Sequence, residues 1–292
     1  MSDSVSFLVV GADGMIGGSL AAALRGSGAD VVATALQPQG PTADCLRLDI
    51  TEPREAWPIP ERVATAYLLA AIPSLDACRH DPQGSRLINV ERTLVIARLL
   101  VERGARIIFP STNLVFDGEA PGRRAEDPVA PRTEYGRQKA EAERQLLALG
   151  DRVTIVRLTK VVAPAMPLLA RWRQALLQGE TIRPFTDMVM APIPLSFVVT
   201  VLRAAGAMAL PGILQVSADR DVTYAEAAAH VAGWLGVSGS LIQPMPSSAA
   251  GLDLEAVPRH TTLDTSRLRQ SLGLQPPDVW TALVYATGEG SE

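Results

Sequence analysis

The apolar run Val5-Ser6-Phe7-Leu8-Val9-Val10 stops at Gly11-Ala12-Asp13-Gly14-Met15-Ile16-Gly17-Gly18. No other feature constrains the fold of this chain as much. A β-rich run that meets glycines at every third position must turn sharply and enter a helix at once. Glycine at 11 permits the tight turn, and glycine at 14 lets the backbone approach a pyrophosphate. Gly17 allows the helix to pack closely on the strand, while the helix N-terminus at Met15 and Ile16 attracts the anion. The spacing is G-x-x-G-x-x-G rather than G-x-G-x-x-G, and a purely structural turn is the competing explanation. The strand before it and the helix after it favour a dinucleotide site.

The rest of the first half keeps the same alternation. Candidate strands are Val5–Val10, Asp30–Ala35, Cys45–Leu48, Val63–Ala71, Ala105–Pro110 and Val153–Arg157, with helices over Met15–Arg25, Gln83–Glu102 and Glu134–Leu149. Continuous Val/Ile/Leu runs fit strands covered on both faces. The expected fold class is therefore α/β, a doubly wound, Rossmann-like parallel sheet whose ligand lies beyond the carboxyl ends of its strands. Past Arg157 the pattern loosens. Helices are expected over Leu168–Gln178, Leu195–Met208 and Thr223–Leu235, the last with Thr223 as its cap, and a late strand over Gly212–Val216. This predicts a dinucleotide-binding domain over residues 1–162 and a smaller C-terminal substrate lobe over 163–292, with 195–217 returning to the main sheet. Residues 288–292 read as a frayed tail.

Composition removes several function classes. A net charge of −4 over 292 residues offers no basic face for nucleic acid. Cys45 and Cys78, with the scattered His80, His230 and His260, show no metal-ligand spacing. The N-terminus lacks a basic region ahead of its apolar run, and no apolar stretch is long enough to cross a bilayer. A cytoplasmic protein without a membrane partner is the expectation.

Two features bear on chemistry. The second strand ends Ala33-Thr34-Ala35-Leu36-Gln37, with no carboxylate to hold an NAD ribose and no arginine to hold a 2′-phosphate. The missing acid tilts the cofactor slightly toward NADP without excluding NAD. Tyr135 and Lys139, one helical turn apart, can share one helix face. Lys139 and Lys160 are the only lysines in a chain that otherwise uses arginine. A fixed ammonium beside a phenol lowers its pKa from about 10, which suits proton transfer to or from a carbonyl or alcohol.

Together these residues resemble the extended short-chain dehydrogenases/reductases, and among them the dTDP-4-dehydrorhamnose reductase family. Pro110-Ser111-Thr112-Asn113-Leu114-Val115-Phe116-Asp117-Gly118 is similar to the S-T-D-x-V-F-x-G segment, and Tyr135-Gly136-Arg137-Gln138-Lys139 to Y-G-x-x-K. Pro258 to Leu268 resembles R-P-x-x-x-x-L-D-x-S-K-L, with Val257 in place of its arginine and Arg267 in place of its lysine. The resemblance implies that Thr112 hydrogen-bonds the reacting oxygen, Tyr135 exchanges a proton with it, and Lys139 holds the nicotinamide ribose and depresses the tyrosine pKa. It also implies cofactor contacts from Gly11, Gly14, Met15, Ile16, Gly17, Thr34, Ala70 and Ala71. Asp49-Ile50 resembles the acidic-apolar pair that frames adenine, although Asp49 could equally cap the turn at Thr51-Glu52-Pro53. The implied activity is NAD(P)H-dependent reduction of a keto group on a nucleotide-linked sugar or similar metabolite. A homodimer is an assembly open to it.

Asn113 and Leu114 replace the acid and base of the related 4,6-dehydratases, which disfavours elimination. Other departures keep alternatives open. Leu68-Leu69-Ala70-Ala71 lacks the asparagine of N-A-A-A, and Asp187-Met188-Val189-Met190-Ala191-Pro192-Ile193 keeps only part of D-Q-x-x-x-P-T. Lys160 takes the place of a tryptophan and could meet a substrate phosphate or solvent. Met188 and Ile193 could make a substrate pocket apolar, whereas Met188 and Met190 could equally be core filler. An epimerase that oxidises and re-reduces one carbon, or a cofactor-binding regulatory subunit with little chemistry, are the competing functions.

Overall fold

A computed structural model describes residues 6–38, 45–251 and 257–288; Val5 of the first strand and most of the C-terminal tail lie outside them. In chain order the first elements are β1 (Ser6–Val10), α1 (Met15–Gly26), β2 (Asp30–Ala35), β3 (Cys45–Arg47), β4 (Thr65–Leu68), α2 (Leu75–His80) and α3 (Pro82–Arg86). A π-helical turn, Leu87–Arg92, joins α3 to α4 (Thr93–Glu102). Then come β5 (Arg106–Thr112), α5 (Glu134–Leu147), β6 (Val153–Leu158), β7 (Val161–Val162), α6 (Pro167–Leu177), β8 (Val189–Met190) and β9 (Ile193–Pro194). The chain closes with α7 (Leu195–Ala207), β10 (Gly212–Val216), β11 (Val222–Thr223), α8 (Tyr224–Trp234), α9 (Ser266–Leu272) and α10 (Val279–Thr287).

The main sheet has seven strands in the order β10-β6-β5-β4-β1-β2-β3. β1 pairs in parallel with both β2 and β4, with Val10 level with Thr34 on one side and Leu68 on the other. The chain winds outward from β1 in both directions, so the order reverses between β1 and β4. A ligand cleft forms at such a reversal, beyond the carboxyl ends. Leu8, Val10, Leu68, Ile96, Leu100 and Phe109 belong to the core that covers this sheet. Their continuous burial explains why these strands read as unbroken apolar runs.

The chain divides into two compact units. The first holds residues 1–115, 133–157 and 199–214. Within it α7 returns to the sheet, where Thr65 Oγ1 donates to the Gly206 carbonyl at 3.3 Å. A Cβ on Gly206 would lie 2.0 Å from the Tyr67 phenol oxygen, so only glycine lets the helix seat over that buried ring.

The second unit holds residues 116–132, 158–198 and 215–292. It contains the short pairs β7 with β9, parallel, and β8 with β11, antiparallel. Thr223 opens α8 with a reciprocal capping box to Glu226, which satisfies two backbone donors that would otherwise be orphaned. Trp172 and Tyr224 meet edge-on, 6.2 Å between centroids, and bind α6 to α8. Among the described residues no helix is long and apolar enough to cross a membrane, and no group of His, Cys, Asp and Glu could hold a metal ion.

Candidate active site

The glycine turn divides its work among three positions. Gly11 has φ +93°, where other residues are strained, and its N–H and that of Ala12 both donate to the Thr34 carbonyl, at 3.0 and 2.8 Å. A Cβ on Gly17 would stand 2.1 Å from the Gly11 carbonyl oxygen, so α1 can rest on the end of β1 only without one. Gly14 differs, because a Cβ there would meet only the Gly11 oxygen at an ordinary 3.4 Å. The protein's own packing does not demand that glycine. Gly14 is also the N-cap of α1 and offers no side chain to the first-turn N–H groups. Open space before an uncapped helix N-terminus suits a phosphate.

Beside the turn lies a cleft of about 300 Å³ lined by Gly11, Asp13, Thr34, Asp49, Ile50, Ala70 and Ala71. Thr34 is fully buried, and its hydroxyl leans back toward the Val9 carbonyl at 3.5 Å. Asp49 holds the turn at Thr51. Its carboxylate accepts from the Thr51 N–H at 2.9 Å and the Thr51 hydroxyl at 2.6 Å while lining the cleft. Those hydrogen bonds, with Arg47 nearby, hold it below the usual carboxylate range. Met15 is half exposed and lines a second cleft, about 390 Å³, together with Asp13, Ser19, Gln37 and Cys45. Ile16 is half-buried behind it.

Asp13 lines both clefts, a position that the second strand's sequence does not reveal. Its Oδ2 accepts the Leu36 N–H at 3.2 Å, which brings a carboxylate to the end of β2 from the glycine turn. The partners are 23 positions apart, so no local spacing in β2 announces the contact.

The candidate catalytic groups come from β5 and α5. β5 runs through Thr112, beyond the Pro110 boundary expected from the sequence. Thr112 Oγ1 accepts from the Leu114 N–H at 3.1 Å, which leaves its own O–H free to donate. Thr133 caps α5 by accepting the Gly136 N–H at 3.1 Å, placing Tyr135 in the first turn and Lys139 in the second. Lys139 is 3% exposed; its Nζ donates to the Pro110 carbonyl at 2.6 Å and lies 3.6 Å from the centroid of the Phe109 ring.

The expected acidification of Tyr135 needs correction. Burial pushes its phenol up to about 12, and the nearby Cys78 thiol adds to the rise. Burial pushes Lys139 down to about 7, opposed by Glu143 one turn on. The ammonium is committed to a carbonyl and a ring face, and the phenol is governed by its burial and by Cys78.

Behind these groups lies a buried polar network that the sequence reading did not find. Asn89, in the π-helical turn, accepts the Ile72 N–H at 2.8 Å and donates to the Ile72 carbonyl at 3.1 Å and to Gln138 Oε1 at 2.8 Å. Gln138 in turn donates to Ser85 Oγ at 2.8 Å and the Pro82 carbonyl at 3.2 Å. The loop after β4, which lines the cleft, is thereby tied to α5. Glu143 and Arg157, both nearly fully buried, fix α5 to β6 through contacts of 2.8 and 3.1 Å.

In the second unit, Met190 and Ile193 are buried in its core, Met188 is half-buried and Lys160 is exposed. Asp187 accepts the Ser247 N–H and hydroxyl, both at 2.8 Å. Asp264 accepts the Ser266 N–H at 3.1 Å, and Gln215 bridges the Arg123 and Asp264 carbonyls at 2.8 and 3.1 Å.

Comparison with known proteins fits this architecture. The chain is 30% identical over 288 residues to a dTDP-4-dehydrorhamnose reductase of Streptomyces griseus, spanning 94% of this chain and 90% of that protein. It is 28% identical over 281 residues to the probable low-salt glycan biosynthesis reductase Agl14 of Haloferax volcanii, spanning 92% and 93%. Its fold matches dTDP-4-dehydrorhamnose reductase from Bacillus anthracis in complex with NADP, with a TM-score of 0.83 at 20% identity over 98% of this chain and 100% of that one. It also matches MoeE5 in complex with UDP-glucuronic acid and NAD, with a TM-score of 0.80 at 23% identity over 97% of each chain. The family described as the RmlD substrate binding domain matches residues 5–289, and this chain belongs to that family of extended short-chain dehydrogenases/reductases.

Proposed function

We propose that this protein is an NAD(P)H-dependent reductase of a keto group on a nucleotide-linked sugar. The observation that carries the reading is the joint presence, within one compact unit, of an uncapped glycine turn and of Thr112, Tyr135 and Lys139 at the ends of β5 and α5. The names of the similar proteins, reductases of dTDP-linked sugars, supply the substrate class. The second unit, with residues 116–132 contributed from between β5 and α5, is proposed to bind the sugar nucleotide.

The bound dinucleotide supplies the hydride to the carbonyl carbon. In this reading the Thr112 hydroxyl donates to the carbonyl oxygen, and Tyr135 delivers the proton that completes the alcohol. A phenol pushed up to about 12 holds its proton at neutral pH, the state a donor requires. Lys139 is the cation that stabilises the phenolate left behind.

Mixing the purified protein with NADH or NADPH and a panel of dTDP- and UDP-linked 4-keto sugars tests this. Absorbance at the reduced nicotinamide band should fall with at least one substrate. Tyr135→Phe should lower kcat by about 100-fold or more while cofactor affinity holds. No oxidation of either cofactor with any 4-keto sugar would remove this substrate class.

A further inference from the structure

We infer that Asp13 sets the cofactor choice of this chain, rejecting a 2′-phosphate on the adenosine ribose and turning the site toward NAD(H). The inference rests on the dinucleotide-binding reading above. β2 ends without an acid of its own, yet Asp13 reaches across the turn and accepts the Leu36 N–H at 3.2 Å. That bond anchors a carboxylate beside the first residue past β2. In doubly wound folds this is where an acid accepts hydrogen bonds from the ribose hydroxyls.

Asp13 also stands at the junction of two clefts. It lines the one walled by Asp49, Ile50 and Ala70 and the one walled by Ser19 and Gln37. A ribose diol donates hydrogen bonds to a carboxylate. A 2′-phosphate offers only acceptors and brings nearly two negative charges of its own.

Among the described residues no arginine or lysine lines the second cleft, and residues 36–44 contain neither in the sequence. Arg25, on the last turn of α1 and already engaged in a contact, is the cation felt at Cys45. Asp13 opposes it at the same thiol. The slight tilt toward NADP that the acid-free end of β2 suggests is thus countered from the glycine turn.

Equilibrium binding of NADH and NADPH, followed by protein and nicotinamide fluorescence, tests this without any substrate. The wild type should bind NADH about tenfold or more tightly than NADPH. Asp13→Asn keeps an oxygen for the Leu36 N–H but removes the charge. It should shrink that ratio about tenfold, mainly by tightening NADPH, and adding Gln37→Arg should shrink it further. Asp13→Thr, which also keeps an oxygen, should shift the ratio the same way. NADH binding by each variant reports an intact fold. Equal affinity of the wild type for both cofactors, or a ratio unchanged in both Asp13 variants, overturns the inference. A wild type that binds neither at millimolar concentration overturns the dinucleotide reading itself, and this inference with it.

Discussion

Lys139 donates to the carbonyl oxygen of Pro110 at 2.6 Å, so the ammonium proposed to assist Tyr135 is also a tie between α5 and the end of β5. The lysine is buried, and burial brings its pKa down to about 7. The conformational and the chemical role of this side chain therefore share one proton.

That coupling has a signed pH dependence. The folded-state pKa lies below the unfolded value, so between about 7 and 10.5 the unfolded chain binds more protons at this site. The burdened ammonium costs stability in full below pH 7, and the cost is relieved as pH rises through that window. Lys139→Met removes the titration. Its stability relative to the wild type, from urea melts at pH 6 and pH 9, should become less favourable at the higher pH. An identical difference at both values would show that Lys139 does not titrate in this range.

Gly14 and Gly17 should separate binding from folding. Gly17→Ala sets a Cβ 2.1 Å from the Gly11 oxygen, backbone against backbone, and should cost about 3 kcal/mol or more as α1 is pushed off β1. Gly14→Ala meets nothing closer than 3.4 Å and should melt within about 1 kcal/mol of the wild type. Its dinucleotide affinity should nevertheless fall at least tenfold, because the methyl enters the space proposed for the pyrophosphate. Calorimetric melting and cofactor titration of the two variants check the contrast.

The buried Glu143–Arg157 pair should be costly to break and cheap to replace. Glu143→Gln leaves the Arg157 guanidinium buried without its counter-charge, at about 3–5 kcal/mol. Glu143→Gln combined with Arg157→Met should recover most of that loss. Denaturant melts of the two single variants and the double variant form the cycle, and strict additivity would show that the pair is not coupled.

Asn89→Ala should act at a distance. It removes the Asn89 partner of the Ile72 N–H and of Gln138 Oε1 and leaves the Ile72 carbonyl with the Cys78 thiol alone, at about 1–3 kcal/mol. The loop after β4 lines the cleft proposed for the cofactor, so the dissociation constant for NADH should rise together with the loss of stability. Gln138→Leu breaks the same network from the other side. Hydrogen exchange at the Ile72 amide should quicken in both.

What the sequence alone determined is what depends on near neighbours along the chain. Turn chemistry at Gly11 and Gly17, the parallel-strand runs, and the one-turn spacing of Tyr135 and Lys139 all follow from steric freedom, apolar periodicity and helix pitch. Only the tertiary structure decided which long-range partners those groups meet. Asp13 reaches Leu36 because the glycine turn hydrogen-bonds to the end of β2. Asn89 and Gln138, 49 positions apart, find each other because a π-turn and α5 pack over the same loop. The Tyr135 phenol sits well above its ordinary pKa because desolvation comes from everything folded around it. A pKa set by burial belongs to a volume of packed atoms, and sequence spacing does not measure that volume.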